Sequence, residues 1–515
     1  MKQPCDEALI LAKPDAVRCR PASAPWILAA TILGSSMAFI DSTVVNVALP
    51  ALQSSLNATV VDVQWVVESY GLFLSALVLV GGAMGDAFGR RLIFLLGAGM
   101  FGVASIGCGF SSDVTQLVIA RCVQGIGAAA LVPSSLALIS ASFDEQSRGR
   151  AIGTWSGFTA ITTALGPVVG GWLIEHASWH WIFLINVPLA VAVIAISMRH
   201  VPESRNPIAQ RLDWLGALVA TASLAGLVFG FLESASLGWS NPLVLGGLIV
   251  GACALMLFTF IEGRMPAPMM SISLFKSRVF GGANLLTLLL YSALGVFFFL
   301  FPLNLIQIQG YSAAATGAAG LPTILLMFFL SRWSGGLVAR YGPRAPLIAG
   351  PPIAAAGFCL FAWPSVGSTY WKTFFPGFVV LGLGMAVSVA PLTTVVMSSV
   401  KNDRAGTASG INNAVARVAG VLAIAILGSV MTHTFSSRMQ KSLAHLDLPP
   451  GALLEIQSNM VRLGDLQAPT SLNSGLRTAI RIDTTQAFVF GFRMIMIICA
   501  GLAVSSAAVA ASCVG

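Results

Sequence analysis

Few side chains in this sequence can do chemistry, and most of them stand where a solvated charge would not. Asp41 opens the run Asp41-Ser42-Thr43-Val44-Val45-Asn46, inside a long apolar stretch. A carboxylate is costly there as an anion, so it can take a proton from one side of a membrane and release it to the other. The competing reading is a structural Asp, hydrogen-bonded near the membrane surface. Glu68, three residues after Trp65, is either a second proton or cation site or an interfacial acid beside an aromatic belt. Arg121 and Gln124 share one helical face. A buried guanidinium keeps its charge and needs a partner. Close to Asp41 it would hold the carboxylate ionised; otherwise it would bond a helix carbonyl. Asn46, Gln124, Asn413 and Arg417 are candidate polar residues of a substrate cavity. Arg417 and Arg493 lie inside apolar runs, as cavity cations or, for Arg493, as a snorkelling side chain.

A second kind of pattern is mechanical. The stretch from Gly81 to Arg91 reads GGAMGDAFGRR and separates two runs that can each cross a bilayer. Its glycines let helices touch, while Asp86, Arg90 and Arg91 stay in the aqueous interface. A degraded copy runs from Gly335 to Arg344, with Ala339 where the first copy has Asp86. Small residues at Gly153, Gly157, Ala160, Ala164, Pro167 and Gly171 recur every three or four positions. They form a stripe for close helix contact, bent at Gly166-Pro167.

The elements that must position these residues follow from composition. The chain has 515 residues, of which 56% are hydrophobic and only 9% charged. Soluble proteins carry about 25% charge, so this is an integral membrane protein. The apolar runs are long and unalternating, which predicts helices. Fourteen spans are predicted, near 26–49, 64–84, 91–110, 115–141, 151–174, 179–198, 213–233, 243–262, 279–302, 313–333, 346–364, 373–398, 405–432 and 487–512. With the N-terminus in the cytoplasm, 19 Lys and Arg lie inside and six outside. All but one of the outer six fall in one long loop, roughly 434–486. That bias sets both termini in the cytoplasm, with the chain multi-pass in a plasma membrane expected to be bacterial.

The loop copies lie eight spans apart. If spans 7 and 8 are an insertion, the offset becomes six. The organisation is then a cytoplasmic segment 1–25, a six-helix half 26–198, a linker 199–212, two extra helices 213–262, and a second six-helix half 279–512. Short surface helices are expected in 434–486, for example near Leu453–Val461. The extra helices carry acids only at their edges, at Asp213, Glu233 and Glu262. Phe297–Phe299 read as lipid-facing.

Several functions are excluded or disfavoured. No lysine ends a GxxxxGK pattern, so nucleotide hydrolysis is not expected. No Ser/His/Asp set is visible, and an enzyme is not expected. The eight cysteines and five histidines form no metal cluster. The net charge of +8 follows membrane topology rather than a nucleic-acid face. The expectation is therefore no cofactor and no metal, with energy drawn from an ion gradient. The expected partners are a small-molecule substrate and the lipid bilayer around a monomer.

Together these residues resemble the major facilitator superfamily, and within it the fourteen-helix drug:proton antiporters. Gly82, Asp86, Gly89, Arg90 and Arg91 are similar to the family's inner-loop motif, which gates the cytoplasmic side. Asp41 through Pro50 resembles the span-1 motif, whose Asp is implicated in proton coupling. Arg121, Gln124 and Gly125 are similar to the span-4 motif tied to proton transfer. Gly157, Gly166, Pro167, Gly170 and Gly171 are similar to the antiporter motif of span 5. Trp179, Trp181, Asn186 and Pro188 fit a further motif, with His180 where an Arg is common. The resemblance implies an all-α membrane bundle of two six-helix halves plus two extra helices. It implies proton-coupled export of hydrophobic or amphipathic compounds by alternating access. The alternatives are a dedicated exporter of one metabolite, lipid or natural product, or a lipid-handling or scaffold protein without proton coupling.

Overall fold

The computed structural model describes residues 23–143, 145–205, 213–265, 268, 270–367, 369–400 and 405–514. Fourteen of its helices or helix pairs are long and apolar enough to cross a membrane. The first half contributes α1 (Ala24–Ser55), α2 (Val60–Phe88), α3 (Arg90–Gly109), α4 (Val114–Ser142) and α5 (Glu145–His176). It ends with a short α6 (Trp181–Leu184) running into α7 (Asn186–His200). Two further helices follow, α8 (Trp214–Leu237) and α9 (Pro242–Glu262). Then come α10 (Arg278–Leu303), α11 (Ala313–Ala319), α12 (Leu321–Tyr341), α13 (Arg344–Ala362), α14 (Tyr370–Ser398) and α15 (Ala405–Leu443). A surface helix α16 (Pro450–Ser458) precedes the last span, α17 (Ser474–Cys513). No strand occurs among the described residues.

The chain forms two compact units. The first comprises Met1–Val45, Ser69–Ala225 and Cys253–Ser271, and the second Asn46–Glu68, Gly226–Ala252 and Ile272–Gly515. In the first unit, small residues set the helix spacing. A Cβ added at Gly125 of α4 would lie 2.6 Å from the Tyr70 carbonyl oxygen of α2. A side chain at that position would push α4 away from α2. The core around this crossing is large and apolar, built on Phe94, Phe101, Leu131 and Leu138. It fixes the rotational setting of α1, α3 and α4, and so the direction of every polar side chain between them.

In the second unit an aromatic core takes the corresponding place. Phe297 and Phe299 of α10 are fully buried, and only Phe298 faces outward. This corrects the lipid-facing reading of Phe297–Phe299. The Phe297 ring sits 4.7 Å from Phe361, and Phe301 sits 4.9 Å from Phe378. Edge-to-face stacking in α10, α13 and α14 is favourable beyond area burial, so these rings turn inward.

The acids at the edges of the extra helices have local duties. Asp213 caps α8 by accepting from the Gly216 amide at 2.7 Å. Glu262 accepts from the Met270 amide at 2.9 Å, and Glu233 from the Trp65 indole at 2.9 Å. The expected loop 434–486 is shorter as ordered coil than the apolar pattern suggests. α15 runs on to Leu443, and α17 begins at Ser474 behind the cap of Asn473. Polar helix-forming residues extend both helices beyond the apolar window. Between them lie α16 and a 3₁₀ turn, Met460–Asp465.

Candidate proton site and gate

α1, α3, α4 and α7 bring five polar side chains to one point inside the first unit. Asp41 and Arg121 are buried, at 0% and 1% exposure. The Arg121 guanidinium donates through Nη1 to Asp41 Oδ2, forming a salt bridge. The same Nη1 donates to Gln124 Oε1 at 2.7 Å. Gln124 in turn donates through Nε2 to Asp41 Oδ1 and to Ser105 Oγ, both at 2.9 Å. Asn186 reaches Asp41 Oδ1 at 3.3 Å. Beneath the guanidinium lies the Tyr70 ring, its centroid 4.2 Å from Arg121 Cζ, and the Tyr70 hydroxyl donates to the Ala38 carbonyl at 3.2 Å.

The electrostatics follow from this list. A buried carboxylate is tolerated only when paired and hydrogen-bonded. Asp41 has one cation and two amide donors. Arg121 has the carboxylate, an amide oxygen and an aromatic face. The cluster is thus arranged for an ionised Asp41 with a neutralising Arg121. Protonating Asp41 would remove the charge that holds Arg121, while Gln124 Oε1 and Tyr70 would still receive the guanidinium.

The structure therefore brings together Asp41, Arg121 and Gln124. It adds Ser105, Tyr70 and Asn186, which the sequence did not single out as site residues. Asn186 starts α7 and belongs to the Trp179–Pro188 pattern, so a signal for it existed. Ser105 and Tyr70 carried none. Glu68 does not bond to this cluster. It is 1% exposed, and neither carboxylate oxygen has a hydrogen-bond partner among the described residues. Asn46 is half-buried and five residues beyond Asp41, a rotation of about 140° around α1, away from the Asp41 face. Asn413 is exposed and donates to the Ser409 carbonyl of its own helix at 3.0 Å. Its neighbour Asn412 instead reaches Asn284 and Thr287 of α10. Arg417 is half-buried. Arg493 donates to the carbonyls of Trp363 and Pro364, a helix-end contact rather than a cavity charge.

The motif between α2 and α3 forms a tight corner. Gly89 has φ +126, open to glycine but not to other residues. Asp86 and Arg90 pair at 2.9 Å across one helical turn. The start of α3 is capped from a distance by Glu203, which follows α7. Its carboxylate accepts from the Arg91 and Leu92 amides, each at 3.1 Å. A negative group here satisfies free amides and the helix dipole together. Arg91 closes the loop by donating to the Met198 carbonyl at 3.0 Å. A Cβ on Gly89 would lie 2.8 Å from the Glu203 carboxylate, a second reason for glycine. Gly82 faces Pro133 of α4 at ordinary contact distance. The later copy turns on the same device, Gly342 at φ +72 between α12 and α13. There Arg344 donates to the Ala511 carbonyl.

The stripe on α5 is only partly a contact surface. A Cβ on Gly166 would overlap Thr43 of α1, and one on Gly170 would overlap Val44. Gly153 and Gly157 face open space. The tight contacts where α5 crosses α1 just beyond Asp41 are thus made by Gly166 and Gly170, which lie off the stripe of Gly153, Gly157, Ala160, Ala164, Pro167 and Gly171. Gly171 is buried, and Pro167 lies inside the helix.

The profile of the Major Facilitator Superfamily matches residues 31–424. The chain belongs to that superfamily. Among its relatives, the multidrug resistance protein Stp of Mycobacterium tuberculosis is 34% identical over 417 residues, covering 81% of this chain and 77% of Stp. The tetracenomycin C resistance and export protein of Streptomyces glaucescens is 33% identical over 449 residues, covering 85% and 82%. A solved major-facilitator neighbour is a bacterial homologue of the human lysosomal transporter Spinster. It aligns with TM-score 0.65 at 16% identity, over 96% of this chain and 98% of that one, which shows the fold.

Proposed function

We propose that this superfamily member is a proton-coupled antiporter that exports hydrophobic or amphipathic small molecules by alternating access. The observation that carries the reading is the buried Asp41–Arg121–Gln124–Asn186 cluster. Asp41 is the proton carrier and Arg121 its counter-charge. When Asp41 takes a proton, the ionic component of the α1–α4 contact is lost and the helices are free to change packing. Gln124 offers both a donor and an acceptor, so it stays bonded in either protonation state. Gly166 and Gly170 let α5 follow α1 closely. Asp86, Gly89, Arg90, Arg91 and Glu203 form the inner gate. Glu68, buried and with no hydrogen-bond partner for its carboxylate among the described residues, is a second proton site.

The substrate class rests on relatives named for multidrug resistance and for export of tetracenomycin C. Named after one compound, the second relative favours an alternative, a dedicated exporter of one natural product. The sequence has no acid between Glu262 and Asp403. A rigid dication would lack a second desolvated carboxylate in that region, so neutral, zwitterionic and monocationic substrates are preferred. The protein works as a monomer in a bacterial plasma membrane with both termini in the cytoplasm, without a cofactor. The test is purified protein in proteoliposomes with an imposed pH gradient. Accumulation of a lipophilic monocation against its own gradient, abolished by collapsing the pH gradient, is the expected result. Transport indifferent to that gradient would rule out proton coupling.

A further inference from the structure

The connection between α15 and α17 is long for a helix link, and nothing in the proposed cycle uses it. Its 3₁₀ turn, Met460–Asp465, lies across the ends of two spanning helices. Gln53, fully buried near the end of α1, donates through Nε2 to the Arg462 carbonyl at 2.9 Å. Gln307, just past α10, donates through Nε2 to Gln53 Oε1 at 2.9 Å. Arg462 turns its own guanidinium back to Asn57, with Nη2 donating to Oδ1 at 2.6 Å. Gly464 packs on Gln307 so closely that a Cβ there would lie 2.7 Å from Oε1. One turn thus ties α1 to α10 through a chain of neutral amides.

Two backbone positions mark the turn as imposed rather than relaxed. Leu463 is buried with φ 52 and ψ −119, and Asn57 has φ 51. A leucine holds such a conformation only where its surroundings dictate it, and residues of this kind gather at clamps and switches. The bonds have the right strength for a reversible contact. Amide-to-amide hydrogen bonds contribute little net free energy each, so they can form and break within one turnover. The helix they hold is the one that carries Asp41. Gln53 lies 12 residues on (53 − 41), about 18 Å along the axis. Between them Pro50 removes a backbone donor and gives α1 a bend point.

We propose that the Met460–Asp465 turn is a lid, a strap that holds the ends of α1 and α10 together in one half of the transport cycle and lifts away in the other. Gln53 is the residue through which it grips. The proposal rests on the alternating-access reading above, but its first readout needs no transport. The test introduces Asn57→Cys with Arg462→Cys in the full-length protein in proteoliposomes. A short reducible bis-methanethiosulfonate links the pair, and the linked peptide is identified by mass. A second pair, Gln307→Cys with Gly464→Cys, repeats the test if the first does not fold. The expected result is rapid linkage, at least fivefold slower when Gln53→Ala is added. Linked protein should lose at least tenfold in transport, recover on reduction, and still bind substrate. Linkage unaffected by Gln53→Ala, or linked protein that transports at the unlinked rate, would overturn the lid. Failure of proton coupling alone would leave both linkage rates unchanged.

Discussion

Arg121 of α4 donates directly to the carboxylate of Asp41 on α1, and neither side chain reaches solvent. Two charges of opposite sign, eighty residues apart, are thus paid out of water together. Such a pair does not exist for stability, because apolar residues of similar volume would serve as well or better. In the proposed cycle, one proton on Asp41 would change the interaction between two helices.

Removing one partner should therefore cost more than removing both. Arg121→Met leaves a buried, uncompensated carboxylate and should destabilise by about 3–5 kcal/mol. Adding Asp41→Asn should restore at least half of that loss. Denaturant or thermal unfolding of the parent, both single variants and the double variant in detergent measures the coupling. Simple additivity would mean that the two side chains do not act as a pair.

The corner between α2 and α3 makes a separate prediction. Gly89→Ala places a Cβ at φ +126 and against Glu203, costing about 1–3 kcal/mol. Glu203→Gln keeps the shape but removes the charge at the start of α3, costing about 0.3–1 kcal/mol. Both should raise the reactivity of a cysteine placed at Leu92 towards an impermeant thiol reagent in inside-out vesicles. Unchanged labelling in both would remove Glu203 from the gate.

The fourteen spans and the first-half motifs were legible because apolar length and glycine spacing are local signals. Asp41, Arg121 and Gln124 stood out as polar side chains in apolar runs. Their convergence was not legible, since it depends on the rotation of four helices set by packing at positions such as Gly125. Glu203 was hidden in a polar linker, where an acid has no periodic context. Phe297 was misread because a helix apolar all round gives no sign of which face is core. The close approach of α5 to α1 at Gly166 and Gly170, on another face than the Gly153–Gly171 stripe, was hidden for a related reason. Spacing shows that small residues share a face, but not how much of that face meets a neighbour.

That last point is testable. Gly166→Leu and Gly170→Leu should block transport at least tenfold while the protein still inserts, because Thr43 and Val44 already fill the space. Gly157→Leu should transport within twofold of the parent, since no described residue lies within 4 Å of its missing Cβ. Export rates normalised to membrane content decide it. Equal loss in all three would mean that Gly157 meets a partner elsewhere in the cycle.

Acid should favour the packed form of the 444–473 connection. Burial pushes the Asp465 carboxyl above its ordinary value, with Arg462 working against that shift. A raised carboxylate pKa stabilises the packed state below the ordinary value, and this contribution is lost as pH climbs through the raised one. A spin label at Ser458 should gain mobility as pH rises above the ordinary carboxylate value of about 4. In Asp465→Asn it should stay immobile over the same rise. The same pH response in the variant would assign the change to another group.

Proton release on substrate binding tests the role of Asp41 most directly. Purified protein in weakly buffered detergent, mixed with a transported lipophilic monocation, should release into solution the protons carried by Asp41 in molecules where it is not paired with Arg121. Asp41→Asn should bind the same compound with little change in affinity and release none through this site. Equal release from the parent and from Asp41→Asn would contradict the account, and would move the coupling proton to another group.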